Sequence, residues 1–164
     1  MSNQPPSPPD TPSSQEPGVS CRCEGTVLLN GSVTVPVALA FHYVTDEPYG
    51  VHMVLDTGIT PPVKWVFARD LLAEGLMRPA GLGDVQTWPV PVQPHRLEAG
   101  KGAVHIRISS PEVSTVVSAP ATALQAFLGR TFEKVAPGSE SRMLRIDESI
   151  ACLMTADRPE DGTT

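Results

Sequence analysis

The residues of this chain that come closest to a catalytic set are Asp56, Thr57 and Gly58, which directly follow the apolar pair Val54-Leu55. Asp-Thr-Gly after an apolar strand is the pattern in which aspartic proteases hold a catalytic carboxylate. Those enzymes bring two such aspartates together so that the pair shares one proton. Retropepsin-like enzymes carry one copy of the motif per chain and complete the pair by dimerisation. An acid protease is therefore one hypothesis for this chain.

The surrounding sequence favours a simple turn at 56–58. Aspartate and glycine both tolerate the backbone dihedral angles of tight turns, so Asp-x-Gly is common between strands. We find no glycine-rich flap, and Pro61-Pro62 stands where a flexible strand would begin. We therefore predict a turn here and keep the retropepsin-like protease as a remote alternative.

Neither the histidines nor the cysteines form a pattern typical of a metal or redox site. His42 and His52 could face each other across a hairpin, but no cysteine or carboxylate follows at metal-ligand spacing. Cys21-x-Cys23 has no second cysteine pair, and Ser109-Ser110 lacks the glycines of a nucleophile elbow. From the sequence we expect no catalytic residues, no cofactor and no metal.

Two tryptophans and two arginines raise a nucleic-acid alternative. Trp65 and Trp88 with Arg69 and Arg78 could form a patch on which the bases of a single strand stack. The net charge of −6 works against this function, because nucleic-acid binding depends on clustered cations that neutralise phosphates. We therefore keep single-stranded nucleic-acid binding as the alternative function and disfavour nucleic acid as a partner.

The composition of the 164 residues predicts one domain between two tails. Prolines crowd the first seventeen positions among serine, glutamine and threonine, so we expect 1–18 to be a disordered tail. The domain should span 19–155, followed by a disordered acidic tail over 156–164. The chain has no secretory signal pattern and no run of about 20 apolar residues that could cross a membrane. With three cysteines and no disulfide framework, a reducing cytoplasm is the expected compartment.

The apolar pattern alternates with the period of a strand over most of the domain. Val33 to Tyr43 gives the clearest example, and Pro36 in its middle indicates a bulge or an edge segment. Asn30-Gly31 predicts a tight turn before it. The other strands are expected at 21–29, 51–55, 63–67, 84–92, 102–109 and 113–118.

Helical spacing occurs in three places. A short helix is predicted from Asp70 to Gly75, with Asp70 as its cap or in its first turn. A longer one should begin at Ala119-Pro120 and end at Pro137-Gly138. A last one is expected over 147–154. The apolar stripe of the long helix is Leu124, Phe127, Leu128 and Val135.

Strands in runs before each helix predict an antiparallel sheet of about seven strands with helices packed against it, an α+β fold.

The block PVKWVFARDLLAEGLMRPAGLGDVQTWP, residues 62–89, closely resembles the SsgA-like regulators of sporulation and cell division in filamentous actinobacteria. The resemblance covers roughly residues 20–154 and is densest over Trp65–Leu76, a long and unusual run. Further motifs that carry it are Asp46–Val51, Arg78–Gly81, Gly83–Val85, Trp88-Pro89, Ser109–Pro111, Ala119-Pro120, Phe127–Thr131 and Pro137-Gly138.

The resemblance implies a Whirly-like fold that trimerises and a regulator of septation that has no catalytic residues. Such a protein would act in the cytoplasm at the septum. It would localise or control the division GTPase FtsZ or the septal enzymes of cell-wall synthesis and cleavage, together with other SsgA-like proteins. The residues expected to serve as interaction or architectural positions are Trp65, Phe67, Arg69, Asp70, Leu72, Leu76, Arg78 and Trp88.

Overall fold

The computed structural model describes residues 18–29, 33–91, 102–111 and 114–143. Seven strands form one antiparallel sheet in the order β4-β3-β2-β1-β7-β6-β5, which confirms the predicted antiparallel α+β fold. The elements are β1 Gly18–Leu29, β2 Val33–Val44, β3 Gly50–Asp56, β4 Val63–Ala68, α1 Arg69–Gly75, β5 Val85–Val90, β6 Ala103–Ser109, β7 Ser114–Pro120, α2 Ala121–Lys134 and α3 Glu140–Met143.

The alternating pattern places one face of the sheet in the core. In β2 the side chains of Leu39, Phe41 and Tyr43 are buried, whereas their neighbours on the strand are exposed or half-buried. Pro36 lies in an edge segment, as predicted, because β3 pairs only with residues 38–42 of β2. We call the opposite side of β1–β4, which none of the three described helices covers, the outer face.

The first strand joins the two halves of the sheet. β1 pairs with β2 along its whole length but with β7 only through Thr26–Leu28. Gly25 immediately precedes the residues of β1 that pair with β7. A Cβ atom at this position would lie 2.5 Å from the carbonyl oxygen of Ser118 and 2.4 Å from Cδ1 of Leu39. Only a residue without a side chain permits β7 to approach this closely.

The long helix α2 packs its predicted apolar stripe into the core, and Leu124, Phe127 and Leu128 are all buried. Its start was predicted too early, because 118–120 still pair with β6 as part of β7, and Pro120 becomes the residue before the first helical turn. The predicted break is confirmed, and Gly138 there has a φ of 80°. The helix expected at 147–154 lies outside the described residues, and α3 was not predicted.

Helix α1 brings together the two edge strands of the sheet. It continues directly from β4 and packs on β5, where the hydroxyl of Thr87 donates a hydrogen bond of 2.9 Å to the carbonyl oxygen of Leu71. The helix begins at Arg69, and Asp70 lies in its first turn without capping it. The sheet therefore curls around α1 and α2.

Candidate interaction surface

The predicted site residues fall into three groups by exposure, and they do not form one continuous surface. Phe67, Arg69 and Leu72 are buried, Trp65, Leu76 and Trp88 are half-buried, and Asp70 and Arg78 are exposed. Phe67 and Leu72 belong to the hydrophobic core, with Trp65 and Leu76 packed against it. The exposed members lie on α1 and on the turn that follows it.

The guanidinium of Arg69 is buried at the centre of the helical layer, with 1% of the residue exposed. Nη1 donates to the hydroxyl of Tyr43 at 3.3 Å and to the carbonyl oxygens of Thr131 at 3.2 Å and Val135 at 2.8 Å. Nη2 forms an ion pair with Glu140. One side chain thus connects the sheet, α1, the end of α2 and the start of α3.

Two aromatic rings enclose the same guanidinium. Its central carbon lies 4.6 Å from the ring centroid of Phe132 and 5.1 Å from that of Tyr43. Arg69 is therefore unavailable for the base-stacking patch considered from the sequence, and that arrangement of residues is wrong. The sequence did carry one signal of an unusual role, because a cation in the first turn of a helix opposes the helix dipole.

Several favourable interactions hold the Glu140 pKa below its ordinary value. Hydrogen bonding from its own backbone amide lowers the pKa most, and the hydrogen bond and charge of Arg69 add to this, although burial acts in the opposite direction. The carboxylate therefore stays charged in the folded protein and keeps its ion pair with Arg69.

This lowered pKa predicts a loss of stability in acid. A carboxyl whose pKa is lower in the folded state stabilises the fold above its unfolded pKa, and this contribution is lost as the pH falls through the folded pKa. We expect the free energy of unfolding to fall below about pH 4.5, the ordinary value for glutamate. Urea unfolding across this range measures the effect. Glu140→Gln should show a smaller decrease, and equal decreases would contradict the assignment.

The turn between α1 and β5, residues 76–84, exposes two large apolar side chains. Met77 is 77% exposed and Leu82 is fully exposed. We call residues 76–84 the α1–β5 turn. Arg78, also exposed, forms an ion pair with Glu74 one helical turn earlier. Methionine and arginine are both enriched at protein–protein interfaces.

The backbone of the α1–β5 turn is held in place at both ends. The amides of Met77 and Arg78 donate to the carbonyl oxygen of Glu74 at 2.8 and 2.9 Å. Ala80 and Thr87 exchange two backbone hydrogen bonds of 2.8 and 2.9 Å, and at the far end the amide of Ser109 donates to the carbonyl oxygen of Asp84 at 2.8 Å. The exposed side chains therefore project from a fixed scaffold.

The Asp56-Thr57-Gly58 motif forms the predicted turn. The amide of Gly58 donates to Oδ1 of Asp56 at 2.8 Å, and Gly58 adopts a φ of 71°. The hydroxyl of Thr57 accepts from the amides of Ile59 and Thr60 at 3.3 Å. The carboxylate thus stabilises its own turn on an exposed loop.

The paired histidines and cysteines lie on opposite faces of the sheet. His42 and His52 are cross-strand neighbours, as expected, and Nε2 of His52 lies 2.6 Å from Oε2 of Glu47. No group of three metal-ligating side chains occurs within the described ranges. Cys21 and Cys23 are free thiols packed against the core, and burial, with a smaller effect of Cys21, raises the pKa of Cys23 to about 11. A thiol with so high a pKa is a poor nucleophile at neutral pH.

Residues 37–140 match the family model described as "Streptomyces sporulation and cell division protein, SsgA". The chain belongs to this family. It is 43% identical over 136 residues to the sporulation-specific cell division protein SsgB of Streptomyces coelicolor, covering 83% of this chain and 95% of that one. It is also 44% identical over 121 residues to SsgB of Kineococcus radiotolerans, covering 74% of this chain and 70% of the relative.

Two solved structures share the fold. The SsgA-like sporulation-specific cell division protein of Thermobifida fusca superposes with a TM-score of 0.71 at 33% identity, covering 85% of this chain and 97% of the other. A structure from a study of SsgB mutations and longitudinal cell division in Streptomyces coelicolor gives a TM-score of 0.68 at 45% identity, covering 77% of this chain and 94% of the other. None of the helices in the described part of this chain is long and apolar enough to cross a membrane.

Proposed function

We propose that this chain regulates sporulation-specific septation by binding other proteins and carries out no catalysis of its own. Its membership of a family of sporulation and cell-division proteins is the observation that carries the proposal. The partners would be FtsZ or the septal enzymes of wall synthesis and cleavage, together with other SsgA-like proteins. The protein would act in the cytoplasm at the septum.

The α1–β5 turn is the surface that we assign to partner binding. Met77 and Leu82 expose apolar area to water, and full burial of one such side chain contributes about 1.5–3 kcal/mol. Because hydrogen bonds already fix the turn, its backbone would lose little entropy on binding. The half-buried Trp88 on β5 and the exposed Arg78 lie along the same small groove and extend the surface.

The proposal includes a Whirly-like homotrimer. Its support is the curled antiparallel sheet, whose edge strand β4 leaves the apolar side chain of Val63 45% exposed. An edge strand with exposed apolar side chains favours contact with another polypeptide chain. A trimer would cover this edge in each copy.

Polar replacements in the α1–β5 turn should abolish septal function without unfolding the protein. We expect Met77→Ser combined with Leu82→Ser to fail in restoring sporulation septa to a Streptomyces coelicolor strain that lacks its SsgB relative. The free energy of unfolding should change by less than about 0.5 kcal/mol, since both side chains are exposed. Septa per hypha and urea unfolding measure the two effects.

Ile59→Ser is the matched control for this experiment. Ile59 is 87% exposed in the loop after β3, on a different part of the surface. It should restore septa as well as the unaltered chain does. Full restoration by the double variant would show that the α1–β5 turn does not bind the partner. Failure of the unaltered chain itself would count against a septal role that is shared with SsgB.

A further inference from the structure

Charged side chains on the outer face form two neighbouring rows of opposite sign. Strand pairing defines each row. Read across β4, β3, β2 and β1, the basic row is Lys64, Val54, Ala40 and Arg22. Read across β3, β2 and β1, the acidic row is Asp56, Ala38 and Glu24.

The four charged side chains are exposed, and none forms an ion pair within the described ranges. The residues between them are small: Ala38 is exposed, and Ala40 and Val54 are half-buried. These three residues line a shallow depression on the outer face together with Arg22, Glu24 and Asp56, and Lys64 lies beside it on β4. The depression therefore has an apolar floor, and the charges at its two ends form no ion pair within the described residues.

The two rows are complementary to each other under a two-fold rotation. Each row lies two residues from the next along a strand, a spacing of about 6.6–6.8 Å. Consider a second copy turned by 180° about an axis that runs parallel to the rows and midway between them. Arg22 of each copy then faces Glu24 of the other, and Lys64 approaches Asp56. The small residues in the centre would allow the two sheets to pack about 10 Å apart.

We propose that the outer face is a two-fold contact between two copies of this chain. A second copy is the occupant that fits, because a two-fold contact requires a surface that is complementary to itself. On this face the charges that would meet are opposite in sign and in register. This inference does not depend on the proposed septal function or on the trimer. If trimers form through another surface, the contact would join them in pairs or into larger assemblies.

The contact should be weak and sensitive to salt. The two rows span four strands that lie about 4.8 Å apart. We expect this small patch to bury less area than a standard interface, which buries about 800 Å² per partner. Exposed ion pairs are screened as the ionic strength rises. We therefore expect association in the micromolar range that weakens when salt is added.

Charge reversal tests the proposal by analytical ultracentrifugation of the full chain. At about 50 mM salt, where the Debye length exceeds 10 Å, the wild-type mass should double relative to the smallest species as concentration rises. Arg22→Glu or Glu24→Arg alone should weaken this step at least about tenfold, since each places like charges opposite one another. The double variant, with both reversals, should recover it. A mixture of the two single variants should also associate.

Glu133→Arg and Lys134→Glu provide the matched control, because these neighbouring exposed residues lie on α2, away from the outer face. Both should associate like the wild type. A wild type whose mass never exceeds that of its smallest species would overturn the proposal. This is the result expected if another protein or residues 1–17 cover the face instead. Single reversals without effect, or a double variant that stays dissociated, would overturn it as well. The mass of the smallest species tests the trimer separately.

Discussion

Arg69→Met should lower the free energy of unfolding by about 3–5 kcal/mol, the cost of removing one partner from a buried ion pair. The substitution leaves the carboxylate of Glu140 buried without its cation. It also removes the donor to the carbonyl oxygens of Thr131 and Val135 at the end of α2. Urea unfolding followed by circular dichroism measures the change.

A second variant separates the effect of the unpaired charge from that of lost packing. Combining Arg69→Met with Glu140→Leu removes both charges, and replacing a buried ion pair by apolar groups is often close to neutral. We expect the double variant to recover most of the lost stability. A cost below about 1 kcal/mol for Arg69→Met alone would show that the ion pair does not organise the helical layer.

Gly75→Ala should destabilise the protein by about 3 kcal/mol, at the upper end of the usual cost of overpacking. A Cβ atom at position 75 would lie 2.1 Å from Oγ1 and 2.4 Å from Cβ of Thr87. Thr87 is fully buried, and its hydroxyl donates a hydrogen bond to the carbonyl oxygen of Leu71. The side chain of Thr87 therefore has little freedom to move away. The clash would separate α1 from β5, and thermal and urea unfolding would detect it.

Gly129→Ala is the control, the same substitution in the longer helix α2. Apart from the neighbouring residues and backbone of α2 itself, no atom lies within 4 Å of a Cβ at this exposed position. Alanine in a helix interior is favoured over glycine by about 0.5–1 kcal/mol, so this variant should be more stable than the wild type. Similar changes at both positions would contradict the close contact between α1 and β5.

Strand positions could be predicted from the sequence because alternation is a local signal. Val33 to Tyr43 shows it most clearly, and β2 covers the same stretch. The start of α2 was misplaced because Ala119-Pro120 suits a helix start locally, whereas pairing with β6 keeps these residues in β7. Long-range pairing here outweighs local preference.

The contacts that organise the helical layer could not be derived from local pattern. Arg69 and Glu140 are separated by 71 positions in the chain, and no periodicity links them. The curl of the sheet depends similarly on Thr87 reaching Leu71. Arg78 and Trp88, which we assign to the candidate surface, were singled out from the sequence, whereas the exposure of Met77 and Leu82 is seen only in the structure.

The position of a functional fluorescent fusion in sporulating hyphae, imaged beside labelled FtsZ, tests the proposed septal role most directly. We expect ladder-like bands that coincide with the FtsZ rings or precede them. Foci confined to spore walls would assign the chain to wall remodelling at a later stage. A signal that follows the nucleoids, or one that stays diffuse throughout septation, would contradict a regulator that acts at the septum.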